Sequence, residues 1–227
     1  MRNIILLSSL MLMSTAAIAE HIDDFSQDTI GDYQVSTTLG QGEPSIIYTW
    51  DENRKMLRFQ SLEDAQTAYG SCFIAQKWQF QGDGYIAVDI ESCVEVPEQK
   101  SWRNVSLCLY DTATPNEFNS SFMVGNGYKI QIYNGGQIQV KKMIDGATSS
   151  FIGNRSWVPS TKPFTLKIKR LGHTYYFYMN NTPLAVDIWN DVDLKYWGLT
   201  GSHDKATSMD VTFDNMRMAT TTDKKRQ

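Results

Sequence analysis

Short runs of alternating apolar and polar residues recur along this 227-residue chain, and between them stand the residues that tight turns require. Such runs cover Tyr33–Thr38, Ile46–Trp50, Met56–Gln60, Cys72–Phe80, Tyr85–Ser92, Val105–Tyr110, Tyr128–Tyr133, Gln137–Met143, Phe164–Arg170, Tyr175–Met179, Leu184–Trp189, Tyr196–Gly201 and Met209–Met218. The breakers include Gly82-Asp83-Gly84, Asn134-Gly135-Gly136, Asp145-Gly146, Leu171-Gly172 and Asn180-Asn181, each with a residue that tolerates positive φ. A period of two, interrupted by turn chemistry every ~8–12 residues, specifies many short strands and hence a sandwich or barrel. No segment sustains a helical period; the best, Leu62 to Gly70, is short and ends at glycine. With 41% hydrophobic residues the chain fills one sizeable core, and one domain is expected.

The stretch from Phe164 to Asn181 shows how the pattern fixes faces. With Leu171-Gly172 as the central turn residues, Ile168 faces Tyr175, Leu166 faces Phe177 and Phe164 faces Met179, all on one side. Lys167, Lys169, Tyr176 and Tyr178 then lie on the other, because a slip by one residue would turn the lysines into the core.

Residues 1–19 have the form of a cleaved signal peptide: Arg2, an apolar run from Ile4 to Met13, and Ala17-Ile18-Ala19 as small-residue cleavage signal. The run is too short for a membrane anchor, which needs roughly 18 apolar residues. The expectation is therefore an exported chain, periplasmic or secreted, without stable membrane insertion after cleavage. Its domain spans 20–219, and 220–227, with Lys224-Lys225-Arg226, forms a flexible basic tail. The net charge is −4, and removing Arg2 makes it one unit more negative, which argues against nucleic acid as a partner.

An exported compartment permits a disulfide between two of Cys72, Cys93 and Cys108. A hairpin of the 72–80 and 85–92 runs around Gly82-Asp83-Gly84 brings Cys72 opposite Cys93, give or take one residue, and leaves Cys108 free. No CxxC or HxxxH spacing supports zinc.

The segments "TLKIKRLGHTYYFYMNN", "KYWGLTGS" and "MDVTFDNMRM" carry, in order, a strand ending in Arg170, a turn at Gly172, and an aromatic strand through Phe177 to Asn180. A Gly198-Leu199 strand and a final Phe213-Asp214-Asn215 strand follow. This succession resembles the C-terminal half of concanavalin A-like lectin/glucanase domains, including the laminin G-like group. "NGYKIQIYNGGQIQVKKMIDG" and "DDFSQDTIGDYQV" resemble their preceding strands and N-terminal entry. The resemblance implies a two-sheet antiparallel β-sandwich of jelly-roll type whose concave face and rim loops bind carbohydrate in many members. A fold of this kind hosts lectins, adhesion modules, glycosidases and lyases, so the site must decide among them.

Retaining glucanases on this fold carry a Glu-x-Asp-x-Glu or Glu-x-Asp-x-x-Glu strand. The nearest match here, "AVDIE", has Ala87 at its first position, which leaves Asp89 and Glu91 roughly 7 Å apart on one strand face. With Ile86, Val88 and Ile90 buried, these two are the wetted face of the strand, or else an acid pair. For a lyase base, His203 in "TGSHDKA" is the candidate. Sugar binding needs flat aromatic faces and a few orienting polar groups. Trp189 and Trp197 in "VDIWNDVDLKYWG" fit that need unless they plug the core; Tyr176, Tyr178 and Lys167 offer a second platform unless they are ordinary cross-strand pairs. Asp187, Asp191 and Asp193 have oxygen ligands suited to Ca²⁺. The leading expectation is an exported glycan-binding protein with a polysaccharide as partner; a glycoside hydrolase or lyase, and an adhesion module binding protein, are the alternatives.

Overall fold

The computed structural model of the chain describes residues 18–39, 46–61, 69–75, 78–93, 104–112, 125–133, 137–145, 147–156, 163–204 and 210–221. The strands among them are β1 (Ile18–Asp23), β2 (Gln34–Leu39), β3 (Ile46–Asp51), β4 (Met56–Ser61), β5 (Tyr69–Ala75), β6 (Gly84–Cys93), β7 (Asn104–Tyr110) and β8 (Gly127–Tyr133). They continue with β9 (Gln137–Ile144), β10 (Ala147–Ser156), β11 (Phe164–Leu171), β12 (Thr174–Met179), β13 (Thr182–Ile188), β14 (Tyr196–Asp204) and β15 (Asp210–Thr221). A single 3-10 turn, Ile30–Asp32, is the helical element among the described residues, and no helix there is long and apolar enough to cross a membrane.

The strands form two antiparallel sheets. One runs β13-β12-β11-β6-β15-β4-β3, with β1 added along β15; the other runs β10-β9-β8-β7-β14-β5-β2. This is a jelly-roll sandwich. Alternation puts Ile86, Val88, Ile90, Leu166, Ile168, Tyr175 and Phe177 on the inner face of the first sheet, against Leu107, Leu109, Ile130, Val140, Trp197 and Leu199 of the second. All are buried, and each contributes about 1.5–3 kcal/mol by leaving water.

The hairpin of β11 and β12 keeps its expected faces but not its expected partners. Ile168 pairs with Phe177, Leu166 with Met179 and Lys167 with Tyr178, while Leu171 and Thr174 close the loop around Gly172 and His173. The turn thus sits one residue later than expected, at Gly172 with φ +59. Each residue slides past its expected partner by two positions, and two positions restore the same face. Other turns use the residues foreseen for them: Asp145 and Asn180 adopt φ of 49 and 54.

The hairpin expected between the 72–80 and 85–92 runs does not form. β5 lies in the seven-stranded sheet between β14 and β2, whereas β6 lies in the other sheet between β11 and β15. The chain changes sheets between β5 and β6. There Trp78 accepts the Trp197 indole N–H through its carbonyl at 2.9 Å, and the buried Phe80 donates its N–H to the Lys195 carbonyl at 2.7 Å. The premise for pairing Cys72 with Cys93 is therefore lost; their side chains lie outside those described. Cys108 is free and buried.

Two strands carry no clear signal in the sequence. β1 begins at Ile18, within the expected leader, and pairs with the end of β15; Glu20 to Asp23 oppose Ala219 to Met216. β10 has bulges between Thr148 and Ser150 and between Phe151 and Gly153, which break the alternation. β15 runs to Thr221, two residues into the expected tail. Of the segment from Leu62 to Gly70, residues 62–68 lie outside the described residues, and Tyr69 and Gly70 open β5.

Candidate functional site

Asp89 and Glu91 project from the outer face of β6. The Asp89 carboxylate accepts the Thr165 hydroxyl of β11 at 2.6 Å, the Asn215 side-chain amide of β15 at 3.1 Å, and an Arg217 guanidinium N–H. Three donors on two flanking strands hold it, so it stitches the middle of the sheet. Asn215, at φ 48, sits in the bulge where β15 slips against β6, and this geometry is what the Phe213-Asp214-Asn215 sequence encodes. Burial raises the Glu91 carboxyl above its ordinary value, and the Asp214 and Asp89 charges add to the effect. Burial likewise raises Asp214 against the opposing Asn215 N–H, with Asp89 adding to the rise.

Lys167, Tyr176 and Tyr178 share this outer face. Lys167 lies opposite Tyr178 with its ammonium 5.0 Å from the ring centroid, and Tyr176 sits between Lys169 and Val186. They are cross-strand pairs on an open sheet.

The tryptophans part company. Trp197 is fully buried between the sheets, and both ring faces belong to the core. Trp189 packs edge-on against Tyr128 at 5.3 Å, and the Lys142 ammonium stands 4.2 Å from its ring centroid. Asp187 accepts the Tyr128 hydroxyl at 2.7 Å and the Lys142 ammonium at 2.9 Å. Burial alone would raise its carboxyl, but these two hydrogen bonds and the Lys142 charge outweigh it and hold the group below its ordinary value. Asp191 and Asp193 both line a cavity of about 520 Å³ with Asp83, Arg170, His173 and Asn190, and Asp193 pairs there with Lys195 at 2.8 Å. Asp187 thus stands apart from the other two aspartates, and among the described residues no group of three or more acidic, His or Cys side chains could hold a metal. His203 lies near the end of strand β14, opposite Gly70, rather than in a loop; its side chain is outside those described.

The outer face of the seven-stranded sheet gathers polar groups that the sequence reading passed over. Hydrogen-bonded neighbours on adjacent strands arrange its side chains in rows. One row runs Thr200, Ser106, Gln131, Gln139 across β14, β7, β8 and β9; the next runs Gly198, Cys108, Lys129, Lys141 and on to Phe151 of β10. A third contains Asn104, Tyr133 and Gln137. Outward-facing polar residues are ordinarily wetted, yet here Ser106, Thr200, Gln131, Lys129 and Lys141 are all buried. Tyr133 donates its hydroxyl hydrogen to Gln131 Oε1 at 2.9 Å and accepts from the Lys141 ammonium. Ser106 Oγ and Gln139 Oε1 are buried and find no hydrogen-bond partner among the described residues. Such oxygens ordinarily have partners, and leaving one unpaired costs about 1–3 kcal/mol.

Low solvent access sets the electrostatics of this face. Burial lowers Lys129, the neighbouring Cys108 opposing the fall. Burial and then the Lys129 charge bring Lys141 down to about 8. Burial pushes the Cys108 thiol up to about 11 and the Tyr133 phenol up to about 12, so both are uncharged at neutral pH. The alternation in "YKIQIY" and "QIQVKKM" already assigns Lys129, Gln131 and Lys141 to an outer face; it carries no sign of their burial.

Two sheets of this topology define an antiparallel jelly-roll sandwich. No family model and no curated protein sequence matches the chain. Solved structures do: a Bacillus licheniformis β-glucanase at TM-score 0.62 and 10% identity, with 88% of this chain and 97% of that one covered. A β-1,3-1,4-glucanase (lichenase) from a mouse hindgut metagenome matches at 0.60 and 8%, with 89% and 99% covered. The metal-free carbohydrate recognition domain of Emp46p matches at 0.56 and 12%, with 86% and 94% covered. The fold is that of the concanavalin A-like lectins and glucanases.

Proposed function

We propose that this is an exported glycan-binding protein whose ligand lies on the outer face of the seven-stranded sheet. The observation that carries the reading is the row Thr200, Ser106, Gln131, Gln139: a polar face withdrawn from water, with Ser106 Oγ and Gln139 Oε1 lacking a partner among the described residues. A sugar hydroxyl both donates and accepts, so one ligand group satisfies either oxygen. The leader-like residues 1–19 support export, and the glycan-binding and glycan-cleaving proteins that share the fold support the ligand class. Binding of the purified chain to a glycan array, with and without Ca²⁺, is the test. Gln131→Leu is expected to abolish the signal while the fold is retained; no binding in either condition removes the proposal.

The raised carboxyls of Glu91 and Asp214 support a second reading, a glycoside hydrolase with Glu91 as acid. Release of reducing sugar from a polysaccharide panel tests it, and full activity in Glu91→Gln would remove Glu91 from the chemistry.

A further inference from the structure

Two amines on the candidate face have no counter-charge among the described residues. Lys129 and Lys141 are direct cross-strand neighbours, 7% and 8% exposed, and neither has an acidic partner among the described residues. Like charges placed opposite each other on a sheet repel, and buried charges are normally paired. The contrast within one strand is sharp: Lys142, the next residue, points to the other side and has Asp187 at 2.9 Å. The chain as a whole is acidic, so the pair is no part of a generally basic surface.

Around the amines stand groups suited to a sugar. The Lys141 ammonium is hydrogen-bonded to the Tyr133 hydroxyl and lies 5.1 Å and 5.2 Å from the ring centroids of Tyr133 and Phe151. Phe151 is 60% exposed, leaving an aromatic face open beside the charge. One row away lie the unpartnered Ser106 and Gln139 oxygens. Side chains so closely held lose little freedom on binding, which favours affinity.

We infer that the ligand of this face is an acidic glycan, its carboxylate or sulfate groups taken by Lys129 and Lys141 and its ring laid against Phe151. The inference rests on the glycan-binding reading above and narrows it. A bound anion supplies the missing counter-charge, relieves the repulsion between the two amines, and makes charge-assisted hydrogen bonds of the strong kind.

The experiment titrates the full chain with polygalacturonate, a sulfated galactan and the neutral glucan laminarin, at low and high salt. Binding of one or both acidic polymers, weakened by salt, is expected, and the two acidic arms distinguish carboxylate from sulfate. Lys129→Met and Lys141→Met keep the aliphatic stem and should each lower affinity roughly tenfold or more, with Lys141→Arg partly restoring it. Should a methionine variant fail to fold, the salt dependence and neutral-polymer arm of the unaltered chain still decide. Equal, salt-insensitive binding of laminarin, or unchanged affinity in both folded methionine variants, overturns the acidic ligand and leaves the glycan reading standing. Binding of none of the three, together with an empty glycan array, overturns both.

Discussion

Gly84 illustrates how one residue sets the spacing of two strands. A Cβ built there would lie 2.0 Å from the Ala219 carbonyl oxygen and 2.8 Å from the Thr220 Cα, both backbone atoms that no rotamer change can move. Gly84→Ala should therefore destabilise the fold by about 3 kcal/mol, the upper part of the usual range for one substitution; urea unfolding with an unchanged slope checks it. Asp89 makes the complementary case. Removing it in Asp89→Ala takes the acceptor from Thr165, Asn215 and Arg217 together. Because Arg217 keeps some contact with solvent, the expected loss is about 1–2 kcal/mol rather than the full cost of a buried unpaired charge. The sequence shows Asp89 to be outward and polar, but it does not show that Asn215 and Arg217, over a hundred residues away, reach it across a bulge.

Among the elements, β13 carries the tie that closes one side of the sandwich. Its Asp187 belongs to the eight-stranded sheet, yet its hydrogen bonds go to Tyr128 of β8 and Lys142 of β9 in the other. Next to it β10 packs against β13 so closely that a Cβ on Gly153 would stand 3.0 Å from the Leu184 carbonyl oxygen. Since the Asp187 carboxyl is held below its ordinary value in the folded chain, its contribution is complete above the unfolded value near 3.8. It is lost as pH falls through the lower, folded one. Asp187→Asn should accordingly lose about 1 kcal/mol at neutral pH, and the gap to the unaltered chain should narrow in acid; thermal melts from pH 7 downward measure both. Strand positions and faces were legible wherever alternation was clean, as in β6, β8 and β11. Legibility failed at β10, whose bulges disrupt the period, and at β5, whose neighbours depend on a crossing between sheets rather than on the nearest glycine turn.

For the molecule as a whole, the two outer faces behave differently. The face of the eight-stranded sheet bears the Asp89–Arg217 pair beside the crowded carboxyls of Glu91 and Asp214, whereas that of the seven-stranded sheet holds amines against burial. Lys141, brought down to about 8, binds fewer protons folded than unfolded between that value and 10.5, so its contribution to stability rises with pH across this window. The stability of the unaltered chain minus that of Lys141→Met should therefore increase from pH 7.5 toward pH 10 by chemical denaturation, and a flat difference would show the amine to be fully hydrated. The polar identity of this face was visible in the strand patterns of Lys129, Gln131 and Lys141. Its withdrawal from water was not, since the exposure of each of those side chains is set by the tertiary fold and not by the alternation of its own strand.

The rows on that face also amount to a ruled surface with two unequal periods. Moving across the strands, from Thr200 to Ser106, Gln131 and Gln139, a contact group recurs about every 4.8 Å; moving along a strand, from Lys129 to Gln131 to Tyr133, it recurs about every 6.8 Å. On the glycan-binding reading proposed above, a polymer laid over this grid would stay in step with one direction and drift out of step with the other, so its repeat length would select both its orientation and the number of units engaged.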